Sequence, residues 1–275
     1  MGFHERLALG WAASGSMLCV GLDPDPARMP APLQGAPDAA LRFCRAIVDA
    51  TADLVCAFKP QFAHFAAQRA EPQLEALCTY IRDRYPHVVL VLDAKRGDVG
   101  STAEQYAVEA FGRYGADAVT VNPYLGTDAA EPFLRQGGVL ALCRTSNPGS
   151  NDVQDLSVDG EPLYVRVARM VAERWAPHGD CGLVVGATYP EQLRIVREVA
   201  GELPILVPGV GTQGGDVAAA VQAGVTADGS GLLVSASRSI LYAAADDTFA
   251  TAARTAAIAL RDAIIEAVKP RVLGP

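Results

Sequence analysis

Eight short apolar runs recur along this 275-residue chain and restrict the folds that are open to it. Most of them are almost continuously apolar instead of alternating with polar residues, which is typical of parallel strands covered on both faces. The runs lie at residues 17–22, 54–58, 88–93, 118–122, 138–143, 181–186, 205–207 and 232–235. A chain with this pattern needs a large parallel sheet that is buried on both sides.

Segments with helical periodicity separate the runs. After the first run, Leu41, Cys44 and Ile47 share one helical face, and Asp38 is predicted to cap that helix. Glycines that are predicted to end helices stand at positions 112, 115, 201 and 224. Strands that alternate with helices, without a break in composition, predict βαβ units. We therefore expect an α/β fold, a (β/α)₈ TIM barrel in which residues 1–275 form a single domain.

The competing architecture is a doubly wound open sheet. Such a sheet usually carries a G-x-G-x-x-G motif after its first strand. This chain has Gly21-Leu22-Asp23-Pro24 at that place, which favours the closed barrel.

Both ends of the chain are expected to add short elements to the barrel. Residues 7–22 carry no charge and loosely imitate a signal peptide, but Glu5 and the Ala-Ser-Gly-Ser run at 13–16 fit one poorly. We predict a short N-terminal helix, a turn and then the first strand. A C-terminal helix is expected over about residues 248–268, followed by a short tail over 270–275. No apolar stretch approaches the length that spans a bilayer.

Charge and cysteine content restrict the partners and the compartment. The formal net charge of −8 argues against nucleic acid or an anionic membrane as a partner, although a small anionic substrate stays possible in a locally basic pocket. None of the six cysteines forms a C-x-x-C pair, and most lie in apolar runs. We expect buried, reduced thiols in a cytoplasmic protein. The four histidines are scattered, so no histidine metal site is predicted.

Polar residues follow almost every run, at the end where TIM barrels carry their catalytic groups. The third run has the densest group, with Asp93 and Lys95 on one face by strand alternation and Asp98 three residues further on. Lys59 ends the neighbouring second run. Two lysines and two carboxylates at one place form an alternating charge network that would keep a lysine protonated as a general acid. The alternative is a solvated loop of ordinary salt bridges.

A second group of residues predicts a phosphate site. The glycine-rich segment 209–215, which contains Gln213 and Gly214, precedes a helix and follows the seventh run. Its backbone amides and the helix N-terminus favour an anion. Arg238 after the eighth run offers a forked cationic contact, and TIM barrels often bind phosphate after these two strands.

The connection between the fifth and sixth runs is the longest in the chain. It contains the aperiodic segment 146–152, Ser-Asn-Pro-Gly-Ser-Asn-Asp. A loop of this length in a compact domain is usually functional. We interpret residues 146–160 as a lid, with a plain surface excursion as the alternative.

These motifs together resemble the orotidine 5′-phosphate decarboxylase family, and several resemble its longer bacterial branch. The similarity runs from about residue 15 to 245 and has the family's order along the chain. The matching segments, written in one-letter code, are GLDP at 21–24, FKP at 58–60, DAKRGD at 93–98 with ST at 101–102, NPYLG at 122–126, TSNPG at 145–149, PGVGTQGG at 208–215 and SRSI at 237–240. The resemblance implies decarboxylation of orotidine 5′-phosphate to uridine 5′-phosphate and CO₂, the last step of de novo UMP synthesis, with no cofactor and no metal.

The resemblance also implies a role for each matching residue. Lys95 is expected to protonate C6, and Asp93 to lie beside the departing carboxylate. The remaining implied roles are ribose binding by Asp23 and Lys59, pyrimidine recognition by Ser146, phosphate binding by Gln213, Gly214 and Arg238, pocket lining by Asn122, and a contribution of Asp98 and Thr102 to the site of the partner subunit. The family pattern thus implies a homodimer.

Two other functions stay open at this point. Related barrels that act on sugar phosphates as Mg²⁺-dependent decarboxylases or synthases share D-x-K-x-x-D, but they place an acidic metal ligand where this chain has Lys59. A catalytically silent nucleotide-binding barrel is the other, and the intact set of Asp93, Lys95 and Asp98 argues against it.

Overall fold

Eight parallel strands close into a barrel in the computed structural model, which describes residues 1–210 and 216–272. Each strand pairs with its neighbours in the chain, and the eighth closes on the first. The strands are β1 (Leu18–Leu22), β2 (Ala57–Pro60), β3 (Val89–Arg96), β4 (Ala118–Val121), β5 (Gly138–Arg144), β6 (Cys181–Val185), β7 (Ile205–Pro208) and β8 (Leu232–Ala236). The predicted TIM barrel is confirmed.

Helices follow the strands and cover the barrel from outside, except the first helix, which precedes β1. They are α1 (Phe3–Ser14), α2 (Ala39–Thr51), α3 (Phe62–Ala66), α4 (Glu71–Arg84), α5 (Gly100–Ala107), α6 (Thr127–Leu134), α7 (Leu163–Met170), α8 (Pro190–Ala200), α9 (Val217–Gly224), α10 (Arg238–Leu241) and α11 (Phe249–Val272). π-Helical segments extend α5 over Val108–Arg113 and α7 over Val171–Trp175. Short 3₁₀ turns occupy Pro26–Arg28, Ala31–Leu33, Pro123–Leu125, Pro148–Asp152 and Ala176–His178.

Three boundaries differ from the sequence prediction. The second strand begins at Ala57, since the amide of Leu54 still bonds to Thr51 in the turn that leaves α2. Gly112 lies inside the π-helical segment after α5 and does not end it. The last helix continues to Val272, so the predicted tail over 270–272 was wrong, and 273–275 lie outside the described residues.

The predicted cap of α2 is only half right. Asp38 is the residue before the first helical turn, as predicted, but its side chain accepts no capping hydrogen bond. Instead its carboxylate lies 3.8 Å from the guanidinium of Arg42 one turn later, in an exposed ion pair.

The barrel interior is apolar at its lower end and polar at its upper end. Phe3 and Leu7 of α1 close the bottom and pack against inward side chains of all eight strands. Gly138 at the start of β5 is required there, because a Cβ at this position would lie 2.5 Å from the ring of Phe3. Ala57 of β2 and Val91 of β3 point inward at the lower end. Two residues further along each strand, at the upper end, the inward positions hold Lys59 and Asp93.

The remaining expectations about ends and thiols agree with the structure. Helix α1 ends at Gly15 in the left-handed conformation, and β1 follows, as predicted. All six cysteines are buried and unpaired. No helix of the described chain is both long and apolar enough to cross a membrane.

Candidate active site

A cavity of about 600 Å³ opens at the C-terminal ends of the strands, where the sequence predicts the site. Its described lining brings together six of the predicted residues, which are Asp23, Lys59, Asp93, Lys95, Ser146 and Arg238. The formal charge of the whole chain is −8, but three cations and two carboxylates are found in this set of six. The cavity is therefore suited to an anionic ligand despite the acidic surface.

Lys59, Asp93 and Lys95 form one charge network at the centre of the cavity. The Lys59 Nζ donates to Asp93 Oδ2 at 3.0 Å, and the Lys95 Nζ donates to Asp93 Oδ1 at 2.6 Å. Lys59 and Asp93 are 5% and 6% exposed, whereas the Lys95 side chain is 47% exposed. Lys95 is thus the cation of the network that a ligand in the cavity reaches most easily.

Burial and charge act in opposite directions on these groups. Burial alone would raise the pKa of the Asp93 carboxyl, but the ammonium groups of Lys59 and Lys95 outweigh it and hold that pKa well below its usual range. Burial alone would lower the pKa of Lys59, but Asp93 and Asp23 outweigh it and raise that pKa above its usual value. Both groups therefore stay charged at neutral pH.

The backbone reaches this arrangement in a way that simple strand alternation does not predict. Lys95 has φ of +47°, in the left-handed region that residues with a Cβ rarely occupy. The pairing of β3 with β4 shifts register between Leu92 and Arg96, so β3 bulges at its upper end. The prediction that Lys95 and Asp93 come together is right, but a bulge and not a regular pleat brings them together.

Sequence reasoning missed two residues of the network, Gln61 and Thr120. The Gln61 Nε2 donates to Asp93 Oδ2 at 2.9 Å, and the Thr120 hydroxyl donates to Asp93 Oδ1 at 2.8 Å. A signal for Thr120 was present, because it is the one polar residue of the otherwise apolar strand β4 and therefore calls for a partner. Gln61 follows β2 directly and carried no comparable signal.

Arg96 faces away from the cavity, although it sits inside the most informative motif. Its guanidinium lies 4.3 Å from the ring centroid of Phe62 and 4.7 Å from that of Tyr106. It also pairs with Glu109 at 2.7 Å. Arg96 therefore fastens the end of β3 to the surrounding helices on the outer side of the bulge.

Asp23 and Arg238 present polar groups to the cavity. The Asp23 Oδ1 is buried and has no hydrogen-bond partner among the described residues, so it is available to accept from a ligand hydroxyl. Arg238 begins α10 and is exposed, and it forms no ion pair with the part of the chain that the structure describes. A buried acceptor oxygen without a described partner and an exposed guanidinium are both suited to bind a ligand.

The loop after β5 is held by the buried side chain of Arg144, which is 1% exposed. Its guanidinium donates to the side chains of Ser150 and Asn151 and pairs with Asp155 at 3.0 Å. Gln154 in turn accepts from the amide of Thr145 at 2.8 Å. We call Arg144 with residues 150–155 the loop clamp.

Ser146 lines the cavity together with Ser150 and Gln154 of the loop clamp. Gly186, directly after β6, lets it approach, since a Cβ at 186 would lie 2.8 Å from the Cβ of Ser146. The predicted lid consists of the 3₁₀ turn Pro148–Asp152 and a small hairpin that pairs Ser157–Val158 with Glu161–Pro162. Arg144 thus fastens the segment from which Ser146 faces the cavity.

Not all predicted site residues meet in a single chain. Asp98, Thr102 and Asn122 are absent from the described lining of the cavity. Asp98 accepts from the amide of Val99, and Asn122 caps the turn Pro123–Leu125 by accepting from Tyr124 at 3.1 Å. Asn122 therefore has a local structural role in this chain, and pocket lining by it is not seen. Gln213 and Gly214 lie outside the described residues.

Within residues 1–210 and 216–272, no group of three or more His, Cys, Asp or Glu side chains is arranged to hold a metal ion.

Known proteins resemble this chain over almost its full length. The profile of the orotidine 5′-phosphate decarboxylase / HUMPS family matches residues 16–254. Orotidine 5′-phosphate decarboxylases from Janthinobacterium sp. (strain Marseille) and Azoarcus sp. (strain BH72) are 60% and 62% identical over 266 residues, which is 96% of this chain and 98% of each relative. The structure of Leishmania donovani OMP decarboxylase superposes with a TM-score of 0.83 at 38% identity and covers 98% of this chain and 99% of its own.

Proposed function

The chain belongs to the orotidine 5′-phosphate decarboxylase / HUMPS family, and we propose that it converts orotidine 5′-phosphate to uridine 5′-phosphate and CO₂ without a cofactor. The observation that carries the proposal is the network in which Asp93 is shared by Lys59 and Lys95 at the cavity floor. The relatives that are about 60% identical carry this enzyme's name, which supports the same carboxy-lyase reaction here.

Lys95 acts as the general acid of the proposed reaction. The bond between C6 and the carboxylate breaks, CO₂ leaves, and the electron pair stays on C6, where the ring offers no adjacent electron sink. The Lys95 ammonium stabilises this charge and then donates a proton to C6, so that UMP forms and the lysine regains its proton from solvent. Its pairing with Asp93 at 2.6 Å supports a charged, aimed ammonium before the substrate arrives.

Asp93 and Lys59 prepare the site on either side of that lysine. Asp93 lies beside the departing carboxylate, and its low pKa supports a carboxylate that stays ionised there. Lys59 balances this charge and, with the partnerless oxygen of Asp23, binds the ribose hydroxyls. The exposed guanidinium of Arg238 binds the phosphate together with Gln213 and Gly214.

The substrate base is recognised by Ser146 and covered by the lid of residues 146–160. Closure of such a loop excludes water and strengthens the charge interactions in the cavity. Binding energy from the remote phosphate is available to drive it. The hold of the loop clamp on this segment supports a site in which the lid orients the pyrimidine ring.

Two subunits complete each site in the proposed enzyme, because Asp98 and Thr102 stand outside the cavity of their own chain. The test mixes Lys95→Ala with Asp98→Ala subunits after verified exchange. Half of the dimers are then mixed and hold one intact site of two, so activity recovers to roughly a quarter of wild type in a symmetric dimer. Recovery no greater than the sum of the two separate variants contradicts the shared site.

The Mg²⁺-dependent sugar-phosphate reaction is the alternative within the same family. Lys59 supports the decarboxylase, since its buried ammonium occupies the end of β2 where the metal-dependent relatives place an acidic ligand, and a cation there repels a metal. The deciding assay follows the absorbance of orotidine 5′-phosphate with and without EDTA and identifies UMP as product. Turnover that EDTA leaves unchanged is expected. No loss of orotidine 5′-phosphate at micromolar enzyme overturns the proposal and leaves the sugar-phosphate enzyme and the silent binding barrel.

The composition of the chain bears on the compartment and on the partners of the proposed enzyme. Six buried free thiols suit the reducing cytoplasm, where we place the enzyme. The net charge of −8 argues against nucleic acid or an anionic membrane as a ligand, whereas the homodimer is what the family pattern of Asp98 and Thr102 implies.

A further inference from the structure

We propose that Thr120 is a positioning residue that fixes the place of the Lys95 ammonium. Its one hydroxyl bonds both to the Lys95 backbone and to the carboxylate to which that ammonium is bound. This inference rests on the proposed function for its kinetic consequences, and on geometry alone for its structural ones.

The need for such a residue arises from the mismatch of β3 with β4. Leu92 pairs with Val119 and Arg96 pairs with Val121, so three residues of β3 stand opposite the single residue Thr120. Two residues in β3 are therefore in excess, and their amides lie where no ladder carbonyl faces them. A bulge of this kind at the rim of a barrel needs another acceptor for its amides.

The Thr120 hydroxyl supplies that acceptor. It accepts from the amide of Ala94 at 3.1 Å and from the amide of Lys95 at 3.0 Å, and it donates to Asp93 Oδ1 at 2.8 Å. A hydroxyl has one hydrogen and two lone pairs, so these three bonds use its full capacity. Thr120 is 1% exposed, so solvent offers little replacement for the hydroxyl.

The same three bonds hold the lysine at both of its ends. The amide bond keeps Lys95 at φ of +47°, a conformation that persists only where its surroundings enforce it. The bond to Asp93 Oδ1 fixes the oxygen to which the Lys95 Nζ donates at 2.6 Å. Without the hydroxyl, the bulge and the ion pair both lose their common support, and the ammonium is no longer held in one position.

A buried threonine can also serve stability alone, and Thr51 is such a residue in the same chain. It is 0% exposed, and its hydroxyl donates to the carbonyl of Ile47 within α2, away from the cavity. Thr51→Val is thus the matched control for Thr120→Val, since each removes one buried hydroxyl and keeps the side-chain volume. Thr120→Ser is the rescue variant, because it keeps the hydroxyl.

The kinetic experiment measures kcat and KM for orotidine 5′-phosphate, and the melting temperature, for these three variants. Thr120→Val is expected to lower kcat roughly 10- to 100-fold, the range that a hydrogen bond to a charged group is worth, with little change in KM. Thr120→Ser should restore most of kcat, and Thr51→Val should lower the melting temperature and leave kcat unchanged. If Thr120→Val does not fold, Thr120→Cys keeps a similar volume, weakens the three bonds and is judged in the same way.

A second readout needs no turnover, because the chain contains only three lysines, Lys59, Lys95 and Lys269. Isotope labelling of lysine therefore gives three side-chain NMR signals, which Lys95→Arg and Lys269→Arg assign. The exposed Lys269 on α11 is the internal reference. Thr120→Val should shift and broaden the Lys95 signal, whereas Thr120→Ser and Thr51→Val should leave it as in wild type.

The two proposals fail in different ways. If wild-type protein does not consume orotidine 5′-phosphate, the proposed function fails, and the Lys95 signal still tests Thr120. A folded Thr120→Val protein with wild-type kcat or an unchanged Lys95 signal overturns the role of Thr120. A Thr120→Ser variant that loses as much as Thr120→Val overturns it as well.

Discussion

Two buried cations of this barrel, Lys59 in the charge network and Arg144 in the loop clamp, have different roles. Each stands at the end of a strand, each is at most 5% exposed, and each bonds to a carboxylate. Lys59 lines the cavity and shares Asp93 with a second cation, Lys95. Arg144 is not among the described lining residues, and its guanidinium donates hydrogen bonds to loop residues.

A buried charge in this barrel indicates chemistry only when its carboxylate partner faces the cavity. Asp93 is buried and holds two ammonium groups, so a change at any of the three alters the charge that a ligand meets. Asp155, the carboxylate partner of Arg144, has a side chain that is 39% exposed and is absent from the described cavity lining. The branched guanidinium of Arg144 reaches several loop residues at once, whereas each ammonium of the network acts as a point charge.

The largest effect is expected from Lys95→Ala, which tests whether the network side of this comparison is the chemical one. UMP formation should fall by at least roughly 1,000-fold, because both the general acid and the charge opposite C6 are lost. The matched control is Lys269→Ala on the exposed face of α11, which should keep wild-type kcat. Circular dichroism checks that both variants fold. Near-normal turnover by a folded Lys95→Ala protein contradicts its assignment as the acid.

An intermediate effect is expected from Arg144→Met, which frees the loop and leaves the network in place. The affinity for UMP should fall roughly 10- to 100-fold, because the segment that carries Ser146 must then be ordered by the ligand. The affinity for ribose 5-phosphate, which has no base, should change little. Isothermal titration measures both. Arg194→Met on α8, a partly exposed arginine paired with Glu191, is the control and should alter neither.

Equal losses of affinity for UMP and for ribose 5-phosphate in Arg144→Met would contradict the separate roles of the loop clamp and the charge network. They would mean that the loop clamp supports the whole cavity and not the recognition of the base.

The smallest effect is expected from Arg238→Ala, the exposed cation that belongs to neither buried group. KM should rise roughly 10-fold with a smaller change in kcat, because a forked phosphate contact is lost while the network keeps its charges. Steady-state kinetics with orotidine 5′-phosphate measures the split. An unchanged KM argues that Arg238 does not bind the phosphate.

The sequence motifs predicted the charge network but not the loop clamp. The Asp93, Lys95 and Lys59 cluster was visible because charged residues directly after buried strands are uncommon and must find partners. Arg144 ends β5 and Ser146 follows it closely, but nothing in their order says that only Ser146 lines the cavity. That difference depends on a loop that returns to Arg144 through Asn151 and Asp155, up to 11 residues later.

The amino-acid sequence alone predicted the barrel, the end of the barrel that carries the site and the charged residues of the described cavity lining. These features depend on local patterns, since apolar runs, helical faces and strand ends are set by neighbours in the chain. Its resemblance to a known family then named the reaction before any contact was seen.

The way in which the site residues are held depends on tertiary contacts. The bulge of β3, the left-handed Lys95, the triple use of the Thr120 hydroxyl and the outward turn of Arg96 depend on register between strands that are distant in sequence. A shift of one residue in that register leaves every local pattern intact and moves each of these groups. For this reason the chain predicts which residues meet, and the fold alone shows which of them position the others.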